Sequence, residues 1–303
     1  MLSGLLPTVF NGLVFGSILY LIAIGLTLQF SVLNLINFSH ALFFVASGLL
    51  VTSLIDSVGK LVIIGGSIIP FVVLSIVTLS IMVSIGYLLE RYFLSNYLYD
   101  IGFDYQMLST FGILLMGIAG TSSIWGSSGS GLQGPLSPGK VMGQITVTGV
   151  TFSNFSIFTI IVTALVIISL YVLFDRTSLG KVAHAVSQDE DMARIIGVDI
   201  SKINGITFAV ATGTASLAGI LFVGGGTVAP EMAVDFVLLG YIVAVIGGIS
   251  SMRGAVVGAV ILGVVRSLGI RFVPDLELAL AFLLMALIIL VRPNGLIQKE
   301  GIR

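Results

Sequence analysis

The chain has 303 residues, of which 57% are hydrophobic and 9% charged, and its mean hydropathy is +1.17. A soluble domain carries about 25% charged residues, so this chain reads as one membrane domain over 1–303 rather than the two soluble domains its length suggests. A net charge of −1 offers no basic surface to nucleic acid, and the lack of cysteine excludes disulfides, thiol catalysis and thiolate metal sites.

The first charged residue is Asp56. A secretory leader needs a positive stretch before its apolar core, so the opening run is expected to be the first span itself. A helix of about 20 apolar residues crosses a ~30 Å hydrocarbon layer, and backbone groups in lipid must be paired internally. Nine segments qualify: 8–32, 40–56, 62–89, 107–125, 153–174, 205–226, 236–250, 254–272 and 276–291. Segments 236–250 and 276–291 are short, which leaves one of them open as re-entrant. The expected fold is an all-α, polytopic transmembrane helical bundle with eight to nine membrane segments.

Between the first two spans, NLINFSHA (34–41) gathers Asn34, Asn37, Ser39 and His40 in an otherwise uncharged region. Polar groups at membrane depth are tolerated when buried in protein or lining a wet cavity. Two readings stay open: a polar break that shapes a translocation path, or Asn37 and His40 capping a helix end. A lone histidine without clustered partners makes no metal site, and no cofactor is implied.

The stretch 126–152 is rich in Gly, Ser and Pro and is expected as a loop outside the cell. Within it and just beyond, ITVTGVTFS alternates apolar and polar residues, which predicts a short hairpin. GPLSPGK (134–140) fits G-x-x-x-x-G-K, but Val141 follows the lysine and no buried strand precedes it, so it is not a phosphate loop. The two N-x-S matches, at Asn37 and Asn154, are discounted as glycosylation sites.

The loop 175–204 holds DRTSLGKVAHAVSQDEDMARIIGVDISK. Ser187 and Glu190 have capping-box spacing, Asp189 to Asp191 put negative charge on a first turn, and Gly197 is a natural stop. Met192, Ile195 and Ile196 form an apolar patch. A short amphipathic helix is therefore expected here, suited to docking in a partner's groove or to lying on membrane lipid.

Lysine and arginine mark the cytoplasmic side. Arg91, Arg176, Lys181, Arg194, Lys202, Arg253, Arg292, Lys299 and Arg303 fall on one side, against Lys60, Lys140 and Arg271 on the other. The C-terminus is then inside, and nine crossings put the N-terminus outside. Arg266 lies within a span and is expected to snorkel or pair. Glu231, Asp235, Arg271, Asp275 and Glu277 gather at outer loops, either as a solvated rim or as a docking surface for an external protein. Gly12/Gly16 and Gly254/Gly258 have small-xxx-small spacing, for internal packing or for a seam with a second subunit. Ion-coupled carriers place acids in mid-membrane; none is found in these spans, which disfavours the rival reading of a secondary transporter or channel. His40 and His184 sit on distant segments, so an intramembrane enzyme is not supported.

At these residues the chain resembles a known family. GLTLQFSVLNLINFSHALFF (25–44), RTSLGKVAHAVSQDEDMARIIGVDISKINGITFAVATGTASLAGIL (176–221), AVIGGISSMRGAVVGAVILGVV (244–265) and LIILVRPNGLI (287–297) resemble the permeases of the high-affinity branched-chain amino acid ABC importers, of the shorter, H-type subunit. The resemblance implies a type II ABC importer permease fold in the cell membrane. It further implies half of a two-permease pore, two cytoplasmic ATPases that hydrolyse ATP on separate chains, an external solute-binding protein and an amino acid substrate. Ser187, Gln188, Asp189, Ala193 and Gly197 fall on that family's ATPase-coupling segment, with Glu190, Met192, Arg194 and Ile195 completing the candidate set. Asn37 and His40 fall on its early polar motif. His184 stands where the family usually has Arg, Ala41 where it has Gly, GGISS where it has G-G-L-G-S, and Gly240 where a Lys is common.

Overall fold

The computed structural model describes residues 5–58, 68–99, 101–132, 137–147 and 150–297. Nearly all of them are helical. In chain order the helices are α1 (Leu5–Leu33), α2 (Ala41–Val58), α3 (Ile69–Leu89), α4 (Ser95–Tyr97), α5 (Phe103–Trp125), α6 (Pro138–Val141), α7 (Asn154–Arg176), α8 (Ser178–Gln188), α9 (Glu190–Ile195), α10 (Ile200–Val223), α11 (Met232–Gly247), α12 (Met252–Phe272) and α13 (Glu277–Val291). A π-helical turn, Glu90–Leu94, joins α3 to α4, and a 3₁₀ turn, Pro274–Leu276, leads into α13.

Eight of these helical stretches are long and apolar enough to span a bilayer, and α11 is a shorter apolar helix. Nine apolar segments were expected, and nine helices match them. The chain from 62 to 67, expected at the start of the third span, lies outside the described residues. The tenth helix starts five residues earlier than expected, because Asp199 caps it by accepting a hydrogen bond from Lys202 N at 3.0 Å.

Contacts at the helix ends fix the alternation of direction. At one end Arg271 donates to Thr8 Oγ1 at 2.8 Å, Phe10 meets Phe152 at 4.6 Å between ring centroids, and Trp125 Nε1 donates to Ser53 Oγ at 2.6 Å. This end carries the expected hairpin: β2 (Gln144–Val147) pairs antiparallel with β3 (Val150–Ser153). The other short ladder, β1 (Ser130–Gly131) with β4 (Thr227–Val228), also joins loops here. At the opposite end Arg253 approaches Asp175 at 3.8 Å, and Leu296 and Ile297 N–H bond the carbonyls of Ile246 and Gly247. These are called the hairpin end and the basic end.

The helices α1, α2, α3 and α5 and the helices α10, α11, α12 and α13 form two halves on either side of α7. Their packing repeats with the halves exchanged: α1 packs on α12 as α10 packs on α3, α11 lies on α1 as α2 lies on α10, and α1 meets α10 at the centre. In each half an irregular segment follows the first helix. With α7 between them the two first helices run antiparallel, the pattern of an inverted repeat.

Close backbone approach makes the centre. A Cβ at Gly12 would sit 2.8 Å from Val264 Cα, and one at Gly16 would sit 2.7 Å from the Ala259 carbonyl. At the α1–α10 crossing a Cβ at Gly25 would meet the Ala211 carbonyl at 2.8 Å. In the other half Gly205 lies against the Tyr87 ring and Gly213 against Val83. Gly258 faces the Val243 carbonyl in the same way, so both small-xxx-small pairs serve internal packing. Lipid supplies no hydrophobic drive between helices, and van der Waals contact at short range takes its place.

Substituting Gly16→Leu is expected to cost at least the ~1–3 kcal/mol of an overpacked core and to lower the detergent-solubilised melting temperature. Gly112→Ala, which adds a methyl where nothing lies within 4 Å, is expected to leave it unchanged. Thermal-shift size-exclusion chromatography measures both.

Candidate coupling segment and polar break

The α7 helix ends at Thr177, whose hydroxyl accepts from Gly180 N at 3.5 Å and so starts α8. On α8, Gly180, Ala183 and Val186 fall at a spacing of three and are buried, while the opposite face is polar. The chain then breaks at Asp189, whose backbone is extended (φ −152°, ψ 96°). Its carboxylate accepts from Met192 N at 2.8 Å and caps α9. Glu190 and Asp191 lie on the first turn, where the helix dipole favours negative charge, and Arg194 closes the last turn, pairing with Glu190 at 3.1 Å.

The cap is therefore Asp189, not Ser187 as the capping-box spacing suggested. Ser187 is still inside α8, with its hydroxyl donating to the His184 carbonyl at 2.8 Å. The buried face of α8 runs through Val186, so the helix continues past Ser187, and the first residue free to turn out is the aspartate. Gln188 ends α8.

The stop is at Gly197, as expected. Its φ is +85°, Gly197 N bonds the Arg194 carbonyl at 3.1 Å, and Val198 N bonds the Ala193 carbonyl at 3.0 Å. These two bonds form a Schellman closure. Ala193 is buried in a small cluster with Val186 and Ile200, which fastens α9 to α8 and α10. Met192, Ile195 and Ile196 are left 55%, 77% and 70% exposed. Two large apolar side chains on this six-residue helix and a third on the residue that ends it make an exposed knob at the basic end, on a helix fixed at both ends.

The polar break 34–40 is the second candidate. Asn34 is exposed and has φ +49°, the one positive value at a non-glycine among the described residues. Asparagine tolerates this region better than most side chains. Leu35 N then bonds back to the Gln29 carbonyl at 3.2 Å, so the chain folds up along α1. Asn37 Oδ1 accepts from Ser39 N at 3.0 Å and from Ser39 Oγ at 2.6 Å, capping the 3₁₀ turn Phe38–His40. His40 Nδ1 lies 2.9 Å from Gln29 Nε2, and Thr110 Oγ1 holds both Phe38 N and the Ile36 carbonyl. Asn37 and His40 have no exposure at all in the single chain. The capping reading thus describes Asn37, whereas His40 is a cross-brace to α1 rather than a cap. Gln29 and Thr110 were missed from sequence, because Thr27, Ser31, Gln106 and Ser109 beside them give neither any mark of its own.

The charged residues expected at outer loops lie at the hairpin end. Glu231 and Asp235 stand exposed at the start of α11, and Asp275 on the turn before α13. Arg271 is engaged by Thr8. Arg266 pairs, as expected, with Glu277 at 3.0 Å and lies 4.0 Å over the Phe15 ring. Among the described residues no group of three or more His, Asp or Glu could hold a metal ion.

Eight helical stretches long and apolar enough to cross a bilayer, with the shorter apolar α11 beside them, make this a multi-pass membrane protein. The chain belongs to the branched-chain amino acid transport system / permease component family, whose profile matches residues 8–291. The high-affinity branched-chain amino acid transport system permease protein BraD of Pseudomonas aeruginosa is 28% identical over 307 residues, covering 96% of this chain and 95% of the relative. The LivH permease protein of Escherichia coli is 26% identical and covers 98% of this chain and 96% of its own. The LivM permease protein of Salmonella typhimurium is 31% identical over 138 residues, 44% of this chain and 32% of the relative. No solved structure matches.

Gly197→Ala is expected to place an alanine in the left-handed region at about 1–2 kcal/mol. Amide hydrogen exchange across 190–198 should then speed up by about five- to thirty-fold, while α10 keeps its protection. Asp189→Ala should act in the same direction and Asp189→Asn much less, since asparagine also caps.

Proposed function

We propose that this chain forms half of the translocation path of an ATP-driven importer for branched-chain or related amino acids. The basic end faces the cytoplasm, where Ser187, Gln188, Asp189, Glu190, Met192, Ala193, Arg194, Ile195 and Gly197 make up the contact with separate ATPase subunits. The single observation that carries this reading is the exposed Met192–Ile195–Ile196 knob on a helix fixed by the Asp189 cap and the Gly197 closure. A rigid apolar projection suits a groove in a partner, and the relatives named for branched-chain amino acid transport supply the solute class.

The partners are a second permease subunit, two ATPases and an extracytoplasmic solute-binding protein, all set in a lipid bilayer. Glu231, Asp235, Arg271 and Asp275 form the rim against the binding protein. Asn34, Asn37, Ser39 and His40 stiffen the path wall from within: the break lets α2 start beside α1, where Gln29 and His40 lock the two together. ATPase closure pushes on α9, and Ala193, Val186 and Ile200 pass that push to α8 and α10. The push works only if each partner favours one of two states of the bundle.

Proteoliposomes holding this chain, its permease partner, both ATPases and the binding protein should take up leucine with ATP, whereas this chain alone should not. Asp189→Arg and Gly197→Pro should each abolish uptake and its coupling to ATP hydrolysis while membrane insertion stays normal. Uptake by the isolated chain, or normal uptake by both variants, sinks the proposal.

A further inference from the structure

A cavity of about 480 Å³ opens at the basic end between α1, α7, the start of α12 and the chain at Ile297. Small-molecule sites occupy about 300–1,000 Å³. The cavity lies within this one chain, and none of residues 187–197 lines it. Its polar lining is Tyr20, Asp175, Ser250, Ser251 and Arg253, with one acid and one base among them. Ile167, Met252, Val256 and Ile297 add apolar wall. The last of these is held in place, because Leu296 and Ile297 N–H bond the carbonyls of Ile246 and Gly247 at 2.9 and 3.1 Å.

The acid and the base each keep their binding capacity. Arg253 Nη2 and Asp175 Oδ2 are 3.8 Å apart, beyond hydrogen-bond reach, and their side chains are 71% and 45% exposed. The helix ends repeat the same polarity. Asp175 stands in the last turn of α7, where the dipole favours a cation, and Arg253 in the first turn of α12, where it favours an anion. Ser251 Oγ caps α12 by accepting from Gly254 N at 3.0 Å. The amides of Met252 and Arg253 lack an intrahelical acceptor and find no other partner among the described residues. Tyr20 is a separate sign of a ligand. It is only 3% exposed, and its hydroxyl makes no hydrogen bond with any described residue. Unlike the Tyr241 hydroxyl, it is not sealed off, so it opens on the cavity that its side chain lines. A buried hydroxyl without a partner is costly.

We propose that this cavity binds a free amino acid with an apolar side chain. The α-carboxylate sits against Arg253 and the first amides of α12, with the Tyr20 hydroxyl donating to it. The α-ammonium sits against Asp175 and the end of α7, and the side chain against Ile167, Val256 and Ile297. A plain carboxylate leaves Asp175 unanswered and a plain amine leaves Arg253 so. Only a molecule with both charges on one carbon satisfies the two helix ends together. The bound zwitterion ties the start of α12 to the end of α7, which runs through Thr177 straight into α8. That this ligand is the imported solute, met on the side where it arrives, rests on the orientation and transport reading proposed above; the chemistry of the site does not.

The test is calorimetric titration of leucine onto the full chain in nanodiscs of phosphatidylcholine and phosphatidylglycerol. Leucine should bind, while isocaproate, isoamylamine and glycine should each bind at least about tenfold more weakly. Arg253→Gln and Asp175→Asn should each weaken leucine about tenfold. Tyr20→Phe, which keeps the ring and its packing, should weaken it about fivefold. No leucine binding, or binding that all three variants leave unchanged, overturns the site. Phosphatidylethanolamine carries an ammonium and an anion in its headgroup, so a second series adds it to the discs. Leucine affinity should stay the same, and a fall with rising phosphatidylethanolamine assigns the cavity to lipid and overturns the amino acid. ATP-driven uptake by the complete importer separates the two readings. Normal uptake without binding here strikes the site alone, whereas binding here without any ATP-driven uptake strikes the transport reading and leaves the site.

Discussion

The close crossing of α1 with α12 and α10 is the contact on which the rest of the bundle depends. Three glycines of α1, at 12, 16 and 25, each face another helix's backbone at a distance that leaves no room for a methyl group. The first helix is thereby the hub, touching α7, α8, α10, α11 and α12. In water such helices would be driven together by burial. In lipid the helices and the solvent are equally apolar, so only geometric fit and satisfied polar groups favour one arrangement over another. The glycines supply the fit, and the exchanged pattern in the second half supplies it again.

Polar groups inside the bundle act as local pins on that arrangement. Gln29 and His40 tie α1 to the turn before α2, Thr110 ties α5 to the same turn, and Ser47 bonds the Ser216 carbonyl between α2 and α10 at 2.8 Å. Arg266 and Glu277 hold the end of α12 to α13 with Phe15 beneath the guanidinium. The Thr110 and Ser47 pins join elements far apart in the chain, whereas the other two fasten neighbours in sequence. Gly240 is pressed against Leu26 and Ile22 of α1, with a Cβ there only 2.9 Å from Leu26 Cδ1. The absence of a long side chain at 240 is part of how closely α11 lies on α1.

At the basic end the design changes from fit to rigidity. The α8–α9 unit is capped at both ends, and Ala193 packs it against Val186 of α8 and Ile200 of α10.

Composition and hydrophobic run length were enough to determine a nine-segment helical bundle, because in lipid a long apolar run has helix as its ready solution. Local rules also placed the 145–153 hairpin, the Gly197 stop and the amphipathic segment before it, since each depends on residues within one or two turns. They misplaced the cap by two positions, at Ser187, because two oxygens in range were equally plausible until burial of Val186 extended α8. Tertiary structure alone decided that His40 meets Gln29, that Arg266 meets Glu277, and that Thr110 meets the backbone of Phe38. Those meetings depend on how each helix is rotated about its axis and which neighbour it faces. A uniformly apolar helix carries almost no periodic mark of its rotation, so that information appears only when the helices are packed.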